Sequence, residues 1–549
     1  MKIVLALLFV LACAVTAPCF ATTRTASSCS AANIQTQINA SSDGDTVNVP
    51  AGTCTWSSSD VVSWTDKVVN LIGAGIGQTI INAPRKFVYI TVSNPAKAAS
   101  RVSGFTIQGI TVSDYVIAIA SAGQTGPISG WRIDHIAFNL SVGAGIPIFA
   151  TGISYGLVDH CTFTGTGEGW GQIEIDGYLD SEYNQLPTLM GDGYWSMPFN
   201  LGTNQAVYVE DCTFTFNASS SGAINYKYGG DVVFRHNTVN GTMFQTHAAR
   251  TGDRGGRKIE IYNNVFNGTI SGGNFLRPTF LRSGTGVIFN NKITGYSSNL
   301  IHVDNERTGP VSWDYSLGPP LVRCDGSHPT YDGNDGTGNQ VGWPCLDQIG
   351  RVGAYPNQTS VPLYTWMNGA QSDCATNQAT CTGDIGVFVA NDGDLGGGHP
   401  YMSDHIQSGR DYVNNGITPK QGYVSYTYPH PLQGGQDSTA PMVTAFVIPA
   451  TSSTLLVPIT TFTATDAVGV TGYCVNESAT PPTSGSCSGS GWAGSAQSSY
   501  TFTTPGSKTL YAWAKDAAGN ISESANDGVI ITLPARLGAG VTMNGIRWQ

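Results

Sequence analysis

A short pattern of apolar and polar positions returns along the chain every 25 to 28 residues: an apolar residue, two polar ones, a small or branched one, then Phe or Val. It reads IQGITV from Ile107, IDHIAF from Ile133, VDHCTF from Val158, VEDCTF from Val209, FRHNTV from Phe234, IYNNVF from Ile261 and FNNKIT from Phe289. The fourth positions are Ile110, Ile136, Cys161, Cys212, Asn237, Asn264 and Lys292, so the steps are 26, 25, 51, 25, 27 and 28 residues. The step of 51 reads as two periods. Alternating apolar and polar residues before a turn predict strands with one face inward. At about 3.3 Å per residue, roughly 25 residues hold three short strands and their turns. That is one coil of a parallel β-solenoid.

Stacking the coils predicts an interior column of Ile133, Val158, Val209, Phe234, Ile261 and Phe289, and a second of Phe138, Phe163, Phe214, Val239 and Phe266. The residues after the first column, Gln108, Asp134, Asp159, Glu210, Arg235, Tyr262 and Asn290, then form a ridge on the outer surface. WRIDHIAF from Trp131 and GLVDHCTF from Gly156 resemble the Trp-Ile-Asp-His segment of pectate lyases. Over residues 29 to 430 the chain resembles the pectate-lyase-like superfamily. The resemblance implies an all-β, right-handed parallel β-helix and a polysaccharide ligand.

Length fits this reading, because 549 residues exceed one ordinary globular core whereas a solenoid lengthens coil by coil. Sixty-eight glycines and 11% charged residues suit a turn-rich β protein, and a formal charge of −11 argues against nucleic-acid binding. Residues 1–21 read as a signal peptide: Lys2, the apolar run Ile3 to Val10, then small residues to Ala21. A competing reading takes Val10-Leu11-Ala12-Cys13 as a lipoprotein cleavage site, with lipid on Cys13 tethering the protein to the cell surface. No later stretch is long and apolar enough to form a transmembrane segment. Secreted or cell-surface, the mature chain keeps ten cysteines, an even number. Cys29 with Cys54, Cys474 with Cys487, Cys374 with Cys381 and Cys324 with Cys345 are the locally expected pairs, and Cys161 and Cys212 are expected to stay unpaired, a coil apart too many.

The β-helix is expected over residues 22–432, with insertions near 165–204 and 304–357. Beyond Gln436 the texture changes to short alternating strands, which resemble a bacterial immunoglobulin-like β-sandwich over residues 436–534, followed by a tail at 535–549.

Six of the 26 Lys and Arg residues fall between 227 and 258: Lys227, Arg235, Arg250, Arg254, Arg257 and Lys258. With His247 they form a cationic patch on an acidic chain, which points to an acidic extracellular polysaccharide. Cleavage of a uronate polymer by β-elimination needs a cation on the carboxylate and a base near neutrality. Lys227, its pKa lowered by crowding arginines, or His247 is the expected base, with Arg235 and Arg250 neutralising the uronate. The segment resembles the alginate-lyase and chondroitinase B family, in which a lysine on one coil and an arginine on the next act beside calcium. Lys227 matches that lysine and His247 a histidine after the arginine, but Thr246 stands in the arginine's place. Trp170, Tyr178, Tyr194 and Trp195, with Arg254, are the expected sugar-binding residues. Calcium is expected on Asp134, Asp159 and Glu210, stacked one coil apart. Glu174 and Asp176, two apart on a strand, offer a carboxylate pair for hydrolysis, which ranks below elimination. The alternative from another class is a non-catalytic carbohydrate-binding adhesin or matrix protein.

Overall fold

The computed structural model describes residues 21–111, 114–123, 126–140, 145–165, 171–179, 190–217, 222–247, 254–304, 344–354, 358–370, 384–389, 406–435, 440–466, 470–482, 487, 491–516 and 520–534. The described strands from Asp45–Val49 to Tyr412–Asn414 build a parallel β-helix, as the period predicts, from one 19-stranded and one eight-stranded sheet. Its open first coil is closed by the helix Ala31–Ala40, which buries Ala31, Ile34 and Ile38. Ser30 caps the helix by accepting the Asn33 N–H, and the Cys29–Cys54 disulfide ties the cap to the first coil.

Coil-to-coil register is strict. Val102, Ile133, Val158, Val209, Phe234, Ile261 and Ile288 pair in sequence as one inward column. The rings of Phe138, Phe163 and Phe214 stack behind it at 5.0 and 4.6 Å. Each such ring contributes on the order of 1.5–3 kcal/mol by leaving water. Two positions of the sequence alignment shift: Val102, not Ile107, pairs with Ile133, and Ile288, not Phe289, pairs with Ile261. Phe289 instead aligns with Tyr262 on the outward ridge, and Ser103 replaces Gln108 there.

The step of 51 residues is a single coil. Val158 pairs directly with Val209 and Phe163 with Phe214, so the extra length is an insertion in one turn. Cys161 and Cys212 are therefore neighbours, both buried and both free thiols, the Cys161 N–H lying 3.4 Å from the Cys212 sulfur. From there an internal amide ladder continues: the N–H groups of Cys212, Asn237, Asn264 and Asn291 donate to the Oδ1 atoms of Asn237, Asn264, Asn291 and Asn368 at 2.9 to 3.3 Å. The residue before each rung of this ladder turns the chain by adopting a left-handed conformation: His135, His160, Asp211, His236, Asn263 and Asn290 have φ between 50° and 58°. His, Asp and Asn are the non-glycine residues that tolerate it best, which is why the pattern is polar there.

The segment after the last coil returns along the ridge as a strap. Arg235 donates to the carbonyls of Tyr426 and Thr427 at 2.7 Å, Arg132 to those of Leu432 and Gln433 at 3.2 and 3.3 Å, and Tyr423 Oη to Glu260 at 2.5 Å. The ridge is thus an interface under the strap rather than an open surface. Residues 442–531 form small, mostly antiparallel sheets around a separate core of Phe446, Val457, Phe462, Val475, Leu510 and Val529, compatible with an immunoglobulin-like sandwich. The Cys474–Cys487 disulfide packs beside Trp513 in that region. The pairs Cys374–Cys381 and Cys324–Cys345 involve residues outside those described, although Cys345 is disulfide-bonded.

Candidate functional site

The ridge is built of arginine–carboxylate pairs. Arg101 donates to both oxygens of Asp134 at 2.7 Å, Arg132 to both oxygens of Asp159 at 2.8 Å, and Arg235 to Glu210 at 2.6 Å. The backbone N–H of His430 and the Gln433 amide take the other Glu210 oxygen at 2.8 and 2.6 Å. All three carboxylates are fully buried. Burial alone would raise the pKa of Asp134 and Asp159, but the guanidinium groups of Arg132 and, at Asp134, Arg101 outweigh it and hold both carboxyls below their usual range. Oxygens already satisfied by arginine are poor calcium ligands, so the expected role of Asp134, Asp159 and Glu210 is corrected: they fasten coils and strap. Arg235, likewise buried and ringed by Tyr208, Tyr262 and Tyr428, is a structural cation rather than one that neutralises a uronate.

Three other expected residues are also structural. Arg254 is buried against Asp347 and Asp192 at 2.7 and 2.6 Å. The rings of Tyr194 and Trp195 are buried under the first insertion, Trp195 Nε1 donating to Gly255 O at 2.8 Å and Arg254 lying 4.7 Å from the Trp195 ring. They pin the insertion to the coils and offer no face for a sugar. Trp170 and Arg250 lie outside the described residues.

The outward face of the eight-stranded sheet carries a different group. Strands Ile146–Thr151, Ile173–Asp176, Gly222–Lys227, Met243–Thr246 and Thr279–Phe280 pair in parallel there. Strand alternation sends Ile173, Ile175, Ile224, Tyr226 and Phe244 inward, leaving Glu174, Asp176, Asn225, Lys227 and Gln245 on the other side of the sheet, where all but Lys227 are buried, as are His247 and Arg282. Glu174 pairs with Asn225 and that with Gln245, which pairs with Phe280; Asp176 pairs with Lys227 in the parallel column. One residue beyond the paired Tyr226 and Thr246 lie Lys227 and His247, and the His247 N–H donates to Tyr226 O at 2.9 Å. Two residues beyond the paired Gln245 and Phe280 come His247 and Arg282.

Lys227 Nζ lies 2.9 Å from Glu174 and 3.7 Å from Asp176, and its side chain remains 25% exposed. Burial would lower its pKa, but Asp176 and Glu174 raise it above the ordinary lysine value. Carboxylates, not arginines, surround it, so the expected depression is reversed. Burial and the adjacent Glu174 push Asp176 well above the carboxylate range, against the pull of Lys227. Thr246 points inward and is fully buried, accepting the Arg282 N–H at 2.8 Å, so an arginine there would not reach this face.

Aromatic rings flank the polar column. Tyr115 stacks on Phe149 at 3.7 Å, and burial, Glu174 and Asp176 push the Tyr115 phenol up to about 12. Tyr178, the one expected aromatic that stays half-exposed among the described residues, lies edge-on to Tyr228 at 5.5 Å, whose ring is 5.0 Å from Lys227 Nζ. On the far side Arg277 and Arg282 lie 3.9 and 4.6 Å from the Phe280 ring. Among the described residues the Arg277 Nε is buried without a partner, and burial together with Arg282 lowers its pKa.

Glu174, Asp176 and Asn225 are the residues of this face that could hold the calcium the resemblance implies. Glu174 and Asp176 supply hard oxygens beside Asn225, and among the described residues Asp176 Oδ1 and Asn225 Oδ1 are buried with no hydrogen-bond partner.

No family model matches the chain, and no curated protein matches it. Among solved structures, that of the PL6 family alginate lyase AlyGC is similar at 14% identity and a TM-score of 0.27, over 52% of this chain and 42% of that one. An arginine-to-alanine variant of the same lyase is similar at 10% identity and a TM-score of 0.26, over 68% and 50%. The chain therefore spans about half the length of these structures, and the likeness concerns the fold alone.

Proposed function

We propose that this protein is exported, that it binds an acidic, uronate-containing polysaccharide along the outward face of the eight-stranded sheet, and that it cleaves the polymer there by β-elimination. The observation that carries this reading is the single column of Asp176, Lys227, His247 and Arg282 on adjacent coils, bordered by Glu174, Asn225 and the Tyr115–Phe149 pair. The disulfides Cys29–Cys54 and Cys474–Cys487 suit an oxidising compartment, and no described helix is long and apolar enough to cross a membrane.

Elimination removes the proton on the carbon next to the uronate carboxylate, forms a carbon–carbon double bond, and breaks the bond to the leaving oxygen, which takes up a proton. His247, which follows the strand beside Lys227 on the next coil, is the base. Lys227, ion-paired with Glu174 at 2.9 Å, donates to the leaving oxygen. Arg282 and Arg277 face the carboxylate charge. Calcium bound at Glu174, Asp176 and Asn225 would supply further positive charge for the uronate carboxylate.

Incubation of the mature protein with alginate, pectate and chondroitin plus calcium, followed by the ultraviolet absorbance of the unsaturated product, tests this directly. Absorbance should rise on one polymer and fail to rise with His247→Ala or Lys227→Met. A protonated Lys227 also favours a second reading, a glycan-binding adhesin without turnover; retained binding with no absorbance on any polymer would select it.

A further inference from the structure

The turns that follow the arginine–carboxylate ladder hold a second constellation, away from the carbohydrate face. His135 and His160 occupy equivalent left-handed positions one coil apart, with φ of 50° and 51°. Their rings stack in parallel, with centroids 4.8 Å apart and planes 3° from each other. The Nδ1 atoms lie 2.8 and 2.9 Å from the Oδ2 atoms of Asp134 and Asp159. Those carboxylates are ionised, held so by arginines, and an ionised carboxylate only accepts hydrogen bonds. Nδ1 of each imidazole therefore carries the proton, and each Nε2 presents a lone pair. Among the described residues neither Nε2 has a hydrogen-bond partner, and the two side chains are 21% and 38% exposed.

A carboxylate on one ring nitrogen with the other nitrogen free is the arrangement that histidine ligands of metal ions nearly always show. Ligand atoms of His135, Asp159 and His160 lie within 4.8 Å of one another. Because both Asp159 oxygens are taken by Arg132, that residue orients His160 rather than binding an ion itself. We propose that His135 and His160 form a surface site for a divalent transition cation of the zinc, nickel or copper class, bound through the two Nε2 atoms with water filling the remaining positions. Nitrogen–metal bonds of about 2.0–2.1 Å at a tetrahedral angle put the two atoms roughly 3.3 Å apart, so both rings must turn out of the parallel stack toward the shared ion. Imidazole nitrogen selects these cations over calcium, which takes oxygen ligands. Asp211 on the next coil, its carboxylate held by Tyr428 Oη at 2.7 Å and Gln433 at 3.1 Å, adds a favourable negative field.

Calorimetric titration of the chelator-treated full chain with zinc chloride tests the site. His135→Asn and His160→Asn are the informative variants, because Asn263 and Asn290 already hold the same turn position at φ of 58° and 54°. Zinc should bind the wild-type protein, with about tenfold or greater loss in either variant, and Glu174→Gln should leave zinc affinity unchanged. Wild-type affinity in His160→Asn, zinc affinity lost in Glu174→Gln instead, or no zinc binding at all would each overturn the proposal. Should the variants fail to fold, electron paramagnetic resonance of the copper-loaded wild-type protein still decides. Two coupled imidazole nitrogens support the site and none overturns it.

Discussion

Replacing Arg235 by alanine separates a structural cation from a catalytic one. In the folded protein Arg235 is completely buried, donates to Glu210 at 2.6 Å, Tyr262 Oη at 3.0 Å and two strap carbonyls at 2.7 Å, and sits among three tyrosine rings. Arg235→Ala leaves the Glu210 carboxylate buried without its cation, which costs about 3–5 kcal/mol when one partner of a buried pair is removed. It also strands the carbonyls of Tyr426 and Thr427. A long repeat array need not unfold in one step, so a global melting point alone is a blunt readout. Limited proteolysis is local: the variant should be cut within residues 423–433 under conditions that spare the wild type, with a lower denaturation midpoint. Combining Arg235→Met with Glu210→Gln should restore most of the resistance, because it removes both charges together. Polymer turnover per folded molecule should stay near the wild-type value. An Arg235→Ala protein that melts and resists protease like the wild type, yet no longer acts on polymer, would refute the structural assignment.

Arg277→Ala should weaken acidic-polymer binding by about tenfold, the scale of one charge-assisted hydrogen bond, and flatten its salt dependence; calorimetry at two ionic strengths reads both, and unchanged affinity counts against the face. Asn264→Ala removes an acceptor for the Asn237 N–H and donors to the carbonyls of Phe234 and Tyr262, so destabilisation of about 2–3 kcal/mol is expected in urea denaturation. The lowered pKa values of Asp134 and Asp159 mean that the folded state binds fewer protons than the unfolded state at low pH. Their stabilisation is full at neutrality and erodes as pH falls below about 4 toward the folded-state values. Melting temperatures between pH 6 and pH 3 should show the loss, and Asp159→Asn should flatten it; an unchanged acid slope would remove these pairs as its cause.

Much of the fold was legible because a solenoid writes its register into the chain. The inward columns from Ile133 to Ile261 follow from spacing alone, and the pairing of Cys29 with Cys54 from its place at the first coil. The misreadings have equally local causes. IQGITV at Ile107 imitates the repeat but starts five residues late, and FNNKIT starts one late because Phe289 and Ile288 are both apolar while strand parity decides which faces in. Insertion length also imitates a missing coil: 51 residues between Cys161 and Cys212 are one turn with a long excursion.

The ridge and the carbohydrate face were harder to tell apart, for a reason that concerns charge rather than pattern. Outward polar residues in register look the same in sequence whether solvent or a strap covers them, and the strap lies 191 residues from Arg235 along the chain. What distinguishes the two faces is stoichiometry. On the ridge Asp134, Asp159 and Glu210 each have an arginine within 2.8 Å, so no carboxylate oxygen is left without a donor to recruit a ligand. On the eight-stranded sheet two carboxyls share a single lysine, with Asp176 Oδ1, Asn225 Oδ1 and, further along, Arg277 Nε buried without partners among the described residues. Unsatisfied buried polar atoms cost about 1–3 kcal/mol each, a cost that a bound ligand would offset. That imbalance, which only the paired registers of Ile173–Asp176, Gly222–Lys227 and Met243–Thr246 reveal, is what supports the proposed binding of polymer on this face.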